Sequence, residues 1–137
     1  MVVTINLLAQ SNFTIDKKTL VLDNGYIRRE ISLSGNRITS SGLFSSGSED
    51  NFLVPGKEFS FSLNGKSLNG TSGWTMIAST PISDDNEGRG VKLILKQDGK
   101  PGIMIELNYM LYPGLPVIRK WIKFINSATE ECKIEDL

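Results

Sequence analysis

The strongest constraint on this chain is the alternation of apolar and polar side chains within short runs. The stretch IMIELNYML places Ile103, Ile105, Leu107, Tyr109 and Leu111 on one face. A repeat of two residues is that of a β-strand, whereas an amphipathic helix needs apolar residues at i, i+3, i+4 and i+7. No window of the sequence stands out with that helical spacing. The chain is therefore predicted to be all-β.

Turn signals separate the alternating runs. Asn24-Gly25 and Asn64-Gly65 each follow such a run, and Asn-Gly pairs tolerate the positive φ angles of tight hairpin turns. About eight or nine antiparallel strands are expected, packed as a two-sheet β-sandwich. A length of 137 residues fits one domain, from residue 1 to residue 137.

Two segments between the clear strands carry more specific expectations. In KEFSFSLNGK, the alternation predicts a half-buried strand, with Phe59, Phe61 and Leu63 on one face and Glu58 on the other with the serines. The polar, glycine-rich stretch 34–56 is predicted to be an irregular excursion with a short strand near residues 37–39.

The segment PVIRKWIKFIN combines apolar and basic residues. Apolar side chains fall on both of its faces, which is typical of a strand that protein covers on both sides. Arg119, Trp121 and Lys123 are therefore the candidates for docking onto another domain. Strand-borne arginines commonly serve in interfaces or cross-strand ion pairs.

Composition excludes several classes of function. The sequence has no histidine, which removes histidine bases, Ser-His-Asp and Cys-His systems and nearly all catalytic zinc sites. Cys132 is the single cysteine, and no metal or other cofactor is predicted. Lys and Arg number 15, as do Asp and Glu, so no nucleic-acid partner is expected. No run approaches the ~20 apolar residues of a membrane helix, so no membrane partner is expected either.

Carboxylates are candidates for catalysis because two of them suffice for glycoside hydrolysis. Asp84, Asp85 and Glu87 lie in a polar turn segment, as do Glu49 and Asp50 in another. Asp, Asn and Gly are ordinary turn residues, so a turn role is the favoured interpretation. The run DDNEG offers oxygen ligands for calcium but lacks the full spacing of a calcium-binding loop.

Three stretches together resemble one family. LVLDNGYIRREISL (20–33), EFSFSLNGK (58–66) and IELNYMLYPGLPVIRKWIKFIN (105–126) are similar to the N-terminal domain of family 36 glycoside hydrolases, which are α-galactosidase-like (melibiase-like) enzymes. The resemblance implies an antiparallel supersandwich of the galactose-mutarotase-like type, shortened or cut off here. It also implies a catalytic (β/α)8 barrel outside this chain. No residue matches a catalytic motif, so the chain itself is expected to be non-catalytic.

The resemblance further implies that a sandwich loop reaches the edge of a sugar pocket. By that analogy, Trp74, Phe52 and Asp50 are candidates for contact with a carbohydrate, namely a galactoside or a plant oligosaccharide. A periplasmic or extracellular location is favoured by the resemblance alone, because MVVTINLLAQ lacks the features of a secretory signal. Mutarotase activity is not expected, since that chemistry uses histidine.

Two alternatives remain open at this point. The chain could be an independent carbohydrate-binding module, which would present aromatic rings at loop tips or on one sheet face. It could also be a structural or adhesive sandwich with no affinity for sugar. A self-contained glycosidase is the least favoured, because it needs two carboxylates roughly 5–10 Å apart in one cleft.

Overall fold

The fold is all-β, as the alternation predicted, and its strands pair antiparallel throughout. A computed structural model describes residues 12–53, 55–100 and 102–137. The described residues form twelve strands, several of them only two or three residues long. The strands are β1 Phe13–Ile15, β2 Thr19–Asp23, β3 Ile27–Ser32, β4 Thr39–Ser45, β5 Gly56–Lys57, β6 Ser60–Leu63, β7 Lys66–Asn69, β8 Trp74–Ser83, β9 Arg89–Gln97, β10 Ile103–Leu111, β11 Ile118–Asn126 and β12 Ile134–Glu135.

The strands divide into three sheets that share one core, where two sheets were expected. One sheet has the order β1-β2-β3-β4-β5, the second β11-β10-β9-β8 and the third β12-β6-β7. Buried side chains from all three sheets form a single apolar cluster. The prediction of two sheets did not include the small third sheet. The sandwich-like architecture itself is confirmed.

The predicted hairpin turns and the predicted buried faces of the strands are present in the structure. Asn64 and Gly65 join β6 to β7 with φ angles of 50° and 79°, which is the left-handed region that Asn-Gly pairs tolerate. Asn24-Gly25 likewise separates β2 from β3. The apolar face predicted for IMIELNYML is buried, and so is the corresponding face of β9. Exposure is zero for Val91, Leu93, Leu95, Ile105, Leu107, Tyr109 and Leu111.

Two local predictions were wrong. The stretch predicted as an irregular excursion contains the seven-residue strand β4, whose buried positions are Ser40 and Gly42. A Cβ atom at Gly42 would meet the ring of Phe44 at 2.5 Å, so this strand packs through small residues. Glu58 was predicted to lie on the polar face with the serines. Ser60 is exposed, but Glu58 is only 3% exposed and its carboxylate lies in the interior.

The described residues contain no helix with the length and hydrophobicity that crossing a bilayer requires. The initial stretch MVVTINLLAQ, which lacks the sequence features of a secretory signal, lies outside the described residues.

Candidate functional site

The three docking candidates stand together on strand β11. Arg119 and Lys123 are exposed and Trp121 is half-buried, and all three project from the same face because they are two residues apart. The guanidinium carbon of Arg119 lies 4.9 Å from the centre of the Trp121 ring, within the range of a cation–π contact. The ring and the charge therefore form one amphipathic surface unit.

The face beside this unit combines buried and charged groups. In the register of β10 with β11, Met110 lies opposite Arg119 and Asn108 lies opposite Trp121. Both β10 side chains are nearly buried, at 4% and 3% exposure, although they point away from the core. Glu106 lies opposite Lys123 but is ion-paired with Lys92 of β9 at 4.0 Å. Buried Met110 and Asn108 therefore lie beside the tryptophan on the outer face of the four-stranded sheet, and Arg119 and Lys123 keep that face positively charged.

A groove of about 430 Å³ runs beside β11. Lys120, Trp121, Ile122 and Phe124 line one side of it, and the segment 58–60 and Leu137 complete its lining. The groove lies where the edge of the four-stranded sheet approaches the third sheet. Its lining is mainly apolar, with the Lys120 ammonium at one side.

The loop that carries Asp50 and Phe52 is held firmly against β4. The Asn51 side chain accepts a hydrogen bond from the Leu43 backbone N–H at 2.9 Å and donates to the Ser41 carbonyl at 3.0 Å. The Phe52 N–H also donates to the Leu43 carbonyl, at 2.8 Å. Phe52 is 64% exposed on this scaffold, and Asp50 is exposed beside it. These two sugar-contact candidates are therefore on the surface.

Trp74, the third sugar-contact candidate, lies in the core. It is 1% exposed, and its ring packs against Phe59 and Phe61 with ring centres 5.2 Å and 6.0 Å away. Its indole N–H donates to the Asn69 carbonyl at 2.9 Å, which satisfies the only polar group of the ring. Trp74 offers no ring face to a ligand in this structure, and it shares no surface with Phe52.

The polar centre of the molecule is Glu58, which the sequence did not single out. Its side chain has zero exposure and accepts hydrogen bonds from Arg29 at 2.9 Å and from Tyr109 at 2.6 Å. The Lys120 ammonium lies 3.0 Å from its Oε1, and the Ser40 hydroxyl also donates to it. These partners come from β3, β4, β10 and β11, so one carboxylate connects the two large sheets.

Burial alone would raise the pKa of Glu58, but its partners reverse the effect. The charges of Arg29 and Lys120, together with the hydrogen bonds from Ser40 and Tyr109, hold the pKa of this carboxyl below its ordinary value of 4.5. Burial first, and then the negative charge of Glu58, raise the pKa of Tyr109 well above 10.0. The pair is therefore an ionised acceptor and a neutral donor at neutral pH. A carboxylate so enclosed serves structure and cannot reach a substrate.

A sequence signal for this cluster did exist. Arg29 lies in phase with Ile27 and Ile31 on β3, and Lys120 lies in phase with Ile118 and Ile122 on β11. Two cations on core-facing positions require a buried anion, because an unpaired buried charge is very costly. The signal indicates that an anion is present, but it does not identify which acidic residue supplies it.

In the acidic turn DDNEG, the Asp84 carboxylate holds the turn together through hydrogen bonds. Oδ1 of Asp84 accepts the backbone N–H groups of Asn86 and Gly88, at 3.0 Å and 2.8 Å, and its Oδ2 accepts the Tyr112 hydroxyl at 2.9 Å. Burial would raise the pKa of Asp84, but these bonds and the nearby Arg119 charge hold it below its usual value. Within the described residues no three His, Cys, Asp or Glu side chains gather as a metal site would require.

Comparison with known proteins adds no relative: no family model, curated protein or solved structure matches the chain.

Proposed function

We propose that the chain is a non-catalytic β-sandwich domain of a carbohydrate-active glycoside hydrolase of the α-galactosidase-like kind, in which it supports a catalytic barrel. The observation that carries the proposal is the surface unit of Arg119, Trp121 and Lys123. Tryptophan and arginine are among the residue types most enriched at the energetic centres of protein interfaces, and here Arg119 caps a half-buried Trp121. It stands on a packed sheet face, which loses little conformational entropy on docking.

The nature of the buried acidic group favours a supporting role. Glu58 is enclosed by two cations and two hydroxyl donors, and its carboxylate has no exposure. A glycosidase acid needs a raised pKa and access to the glycosidic oxygen. Glu58 has a lowered pKa instead. Asp84 is likewise occupied by two backbone N–H groups and a tyrosine hydroxyl.

A second candidate function is direct carbohydrate binding, and Phe52 is the observation that favours it. The residue is 64% exposed on a loop that Asn51 fixes to β4. A rigidly held, exposed aromatic ring can stack on the CH-rich face of a sugar, and Asp50 beside it could accept hydroxyl hydrogen bonds. Such a contact fits either an independent binding module or a sandwich loop at the edge of a sugar pocket.

The proposal is tested by adding this chain to the (β/α)8 barrel of an α-galactosidase from which the N-terminal sandwich has been removed. We expect binding, seen as broadened NMR signals of Arg119, Trp121 and Lys123, and a more heat-resistant barrel. Arg119→Glu with Trp121→Ala should abolish both effects, whereas Lys66→Glu, on an exposed position of β7, should leave them intact. Absence of binding, or hydrolysis of galactosides by the chain alone, would overturn the proposal.

Titration of the labelled chain with galactose and melibiose separates the remaining candidates. Saturable shifts confined to Asp50 and Phe52, lost in Phe52→Ala, would favour direct sugar binding. If neither a sugar nor the barrel perturbs the spectrum, a structural or adhesive sandwich is the correct assignment.

A further inference from the structure

The two edges of the four-stranded sheet are built differently. Strand β8, at one edge, contains Pro81 and a register irregularity between Met76 and Ala78. Proline and bulges are the usual means by which an exposed edge avoids pairing with another strand. Strand β11, at the other edge, has neither feature and pairs with β10 in continuous register from Ile118 to Asn126. One edge is therefore blocked, and the other is regular over nine residues.

The outer edge of β11 has no strand partner within residues 12–53, 55–100 and 102–137. It borders the groove of about 430 Å³ whose opposite side includes Phe59 and Ser60. A strand added to a sheet lies about 4.8 Å from its neighbour, so an added strand at this edge would enter the groove. The apolar lining at Ile122 and Phe124 would then receive alternate side chains of the incoming segment.

The basic residues of β11 do not block this edge. Lysine at an edge can repel a neighbouring strand, because covering it would bury an unpaired charge. The Lys120 ammonium, however, is already paired with Glu58 at 3.0 Å, and Arg119 rests on the Trp121 ring. Covering β11 therefore buries no unmatched ammonium on the core side of the strand, and Lys123 lies on the outer face, where it stays exposed.

Charge selects the partner. Strand β11 carries three cations and no acidic residue, so pairing with β11 of a second copy would bring like charges together. An incoming strand with acidic side chains on the outer face would instead meet Arg119 and Lys123. Its alternate side chains, on the groove side, would be apolar beside Ile122 and Phe124.

We propose that the outer edge of β11, which pairs with no strand among the described residues, binds an extended segment of a partner protein as an added strand, with acidic and apolar side chains in alternation. Backbone hydrogen bonds would supply the affinity, and the charge pattern of β11 would supply the selectivity. This inference goes beyond the proposed supporting role and does not depend on it, because any partner protein with such a segment would satisfy it.

The test is selection of nine-residue peptides from a displayed random library on the wild-type chain, with counter-selection on the variant Arg119→Glu/Lys123→Glu. We expect enriched sequences that alternate acidic and apolar residues and bind the wild type roughly tenfold better than the variant, from two cross-strand charge pairs. Lys66→Glu, on an exposed position of another sheet, should bind them like the wild type.

N-methylation of the selected peptide identifies the mode of binding. In strand addition, only every second backbone N–H faces β11, so N-methylation should abolish binding at one alternate set of positions and leave it unchanged at the other. Enrichment without alternation, no enrichment over the counter-selection, or equal sensitivity at all positions would overturn the proposal. Sedimentation of the wild type as a dimer whose dissociation constant Arg119→Glu/Lys123→Glu changes would also overturn it, because β11 would then be occupied by a second copy.

Discussion

Tyr109 donates its hydroxyl hydrogen to Oε1 of Glu58 at 2.6 Å, and this bond crosses the core from strand β10 to the segment that precedes β6. Neither side chain is accessible to solvent. Arg29 on β3 and Lys120 on β11 complete the cluster from two different sheets. Burial of the apolar core favours close packing of the sheets in general. The polar cluster is more specific, because all its donors reach the single carboxylate only when the sheets meet in one arrangement.

Replacement of Glu58 by glutamine should be strongly destabilising. The amide keeps the size of the side chain but leaves Arg29 and Lys120 without a counter-charge in the interior. Removing one partner from a buried ion pair costs about 3–5 kcal/mol in the free energy of unfolding. Denaturant unfolding measures this loss. The matched control is Glu135→Gln, which breaks an exposed pair with Lys133 and should cost less than about 1 kcal/mol. Equal effects of the two variants would contradict the proposed importance of the cluster.

Acid should destabilise the wild type through Glu58 in particular. The pKa of Glu58 is lowered in the folded chain, so its contribution is fully present above the ordinary value of 4.5 and is lost as pH falls through the folded-state pKa. The wild type should therefore lose more stability below pH 4.5 than Glu58→Gln does. Unfolding curves at a series of acidic pH values measure the two slopes. Parallel slopes would show that Glu58 does not titrate as described.

Alternation gave a reliable account of the strands that bury large side chains. Every second residue is Val, Ile, Leu or Tyr along β10 and from Val91 to Leu95 in β9, and this pattern has few structural solutions other than a sheet. The same reasoning failed for β4, which packs through Ser40 and Gly42. Small polar residues occur in turns as well as in tightly packed strands. Gly42 is needed because the side chains of Phe44 and Glu30 leave little space beside it, and the sequence around Gly42 does not reveal that packing.

The positions of the candidate site residues could be predicted only in part. Arg119, Trp121 and Lys123 were chosen as docking candidates because PVIRKWIKFIN carries apolar residues on both faces, which is a local pattern. The structure places them on one face of β11, and their role in docking stays a prediction. Trp74 was misplaced because a tryptophan after a glycine-rich turn can face either a cleft or the core. Its burial follows from Phe59, just before β6, and from Phe61 on β6, which belongs to another sheet. Long-range packing of this kind has no signature in the sequence around Trp74.

The two tryptophans should differ sharply in fluorescence quenching. Trp74 is 1% exposed in an aromatic cluster, whereas Trp121 lies on the outer face beneath Arg119. In Trp121→Phe, the remaining emission should be blue-shifted and resistant to iodide. In Trp74→Phe, it should be red-shifted and readily quenched, since the Arg119 cation attracts the anion. Adding Arg119→Gln should reduce quenching by iodide but not by neutral acrylamide. Ready quenching of Trp74 in the folded chain would contradict its assigned place in the core.

Asn24 should prove essential for the turn that joins β10 to β11. Its side-chain N–H₂ group donates to the carbonyls of Tyr112 and Leu115, at 2.7 Å and 2.8 Å, while its Oδ1 accepts the Tyr26 and Ile27 N–H groups at 3.0 Å. Asn24→Asp keeps the acceptor but turns a carboxylate towards two carbonyl oxygens. The loss of both donors should lower the free energy of unfolding by about 1–3 kcal/mol, measured by denaturant unfolding.

Asn86→Asp, at an exposed position of the β8–β9 turn, is the control and should change stability by no more than about 0.5 kcal/mol. If Asn24→Asp were as stable as the control, the amide bridge between the two turns would contribute nothing, and the rigidity of the β10–β11 turn would need another source.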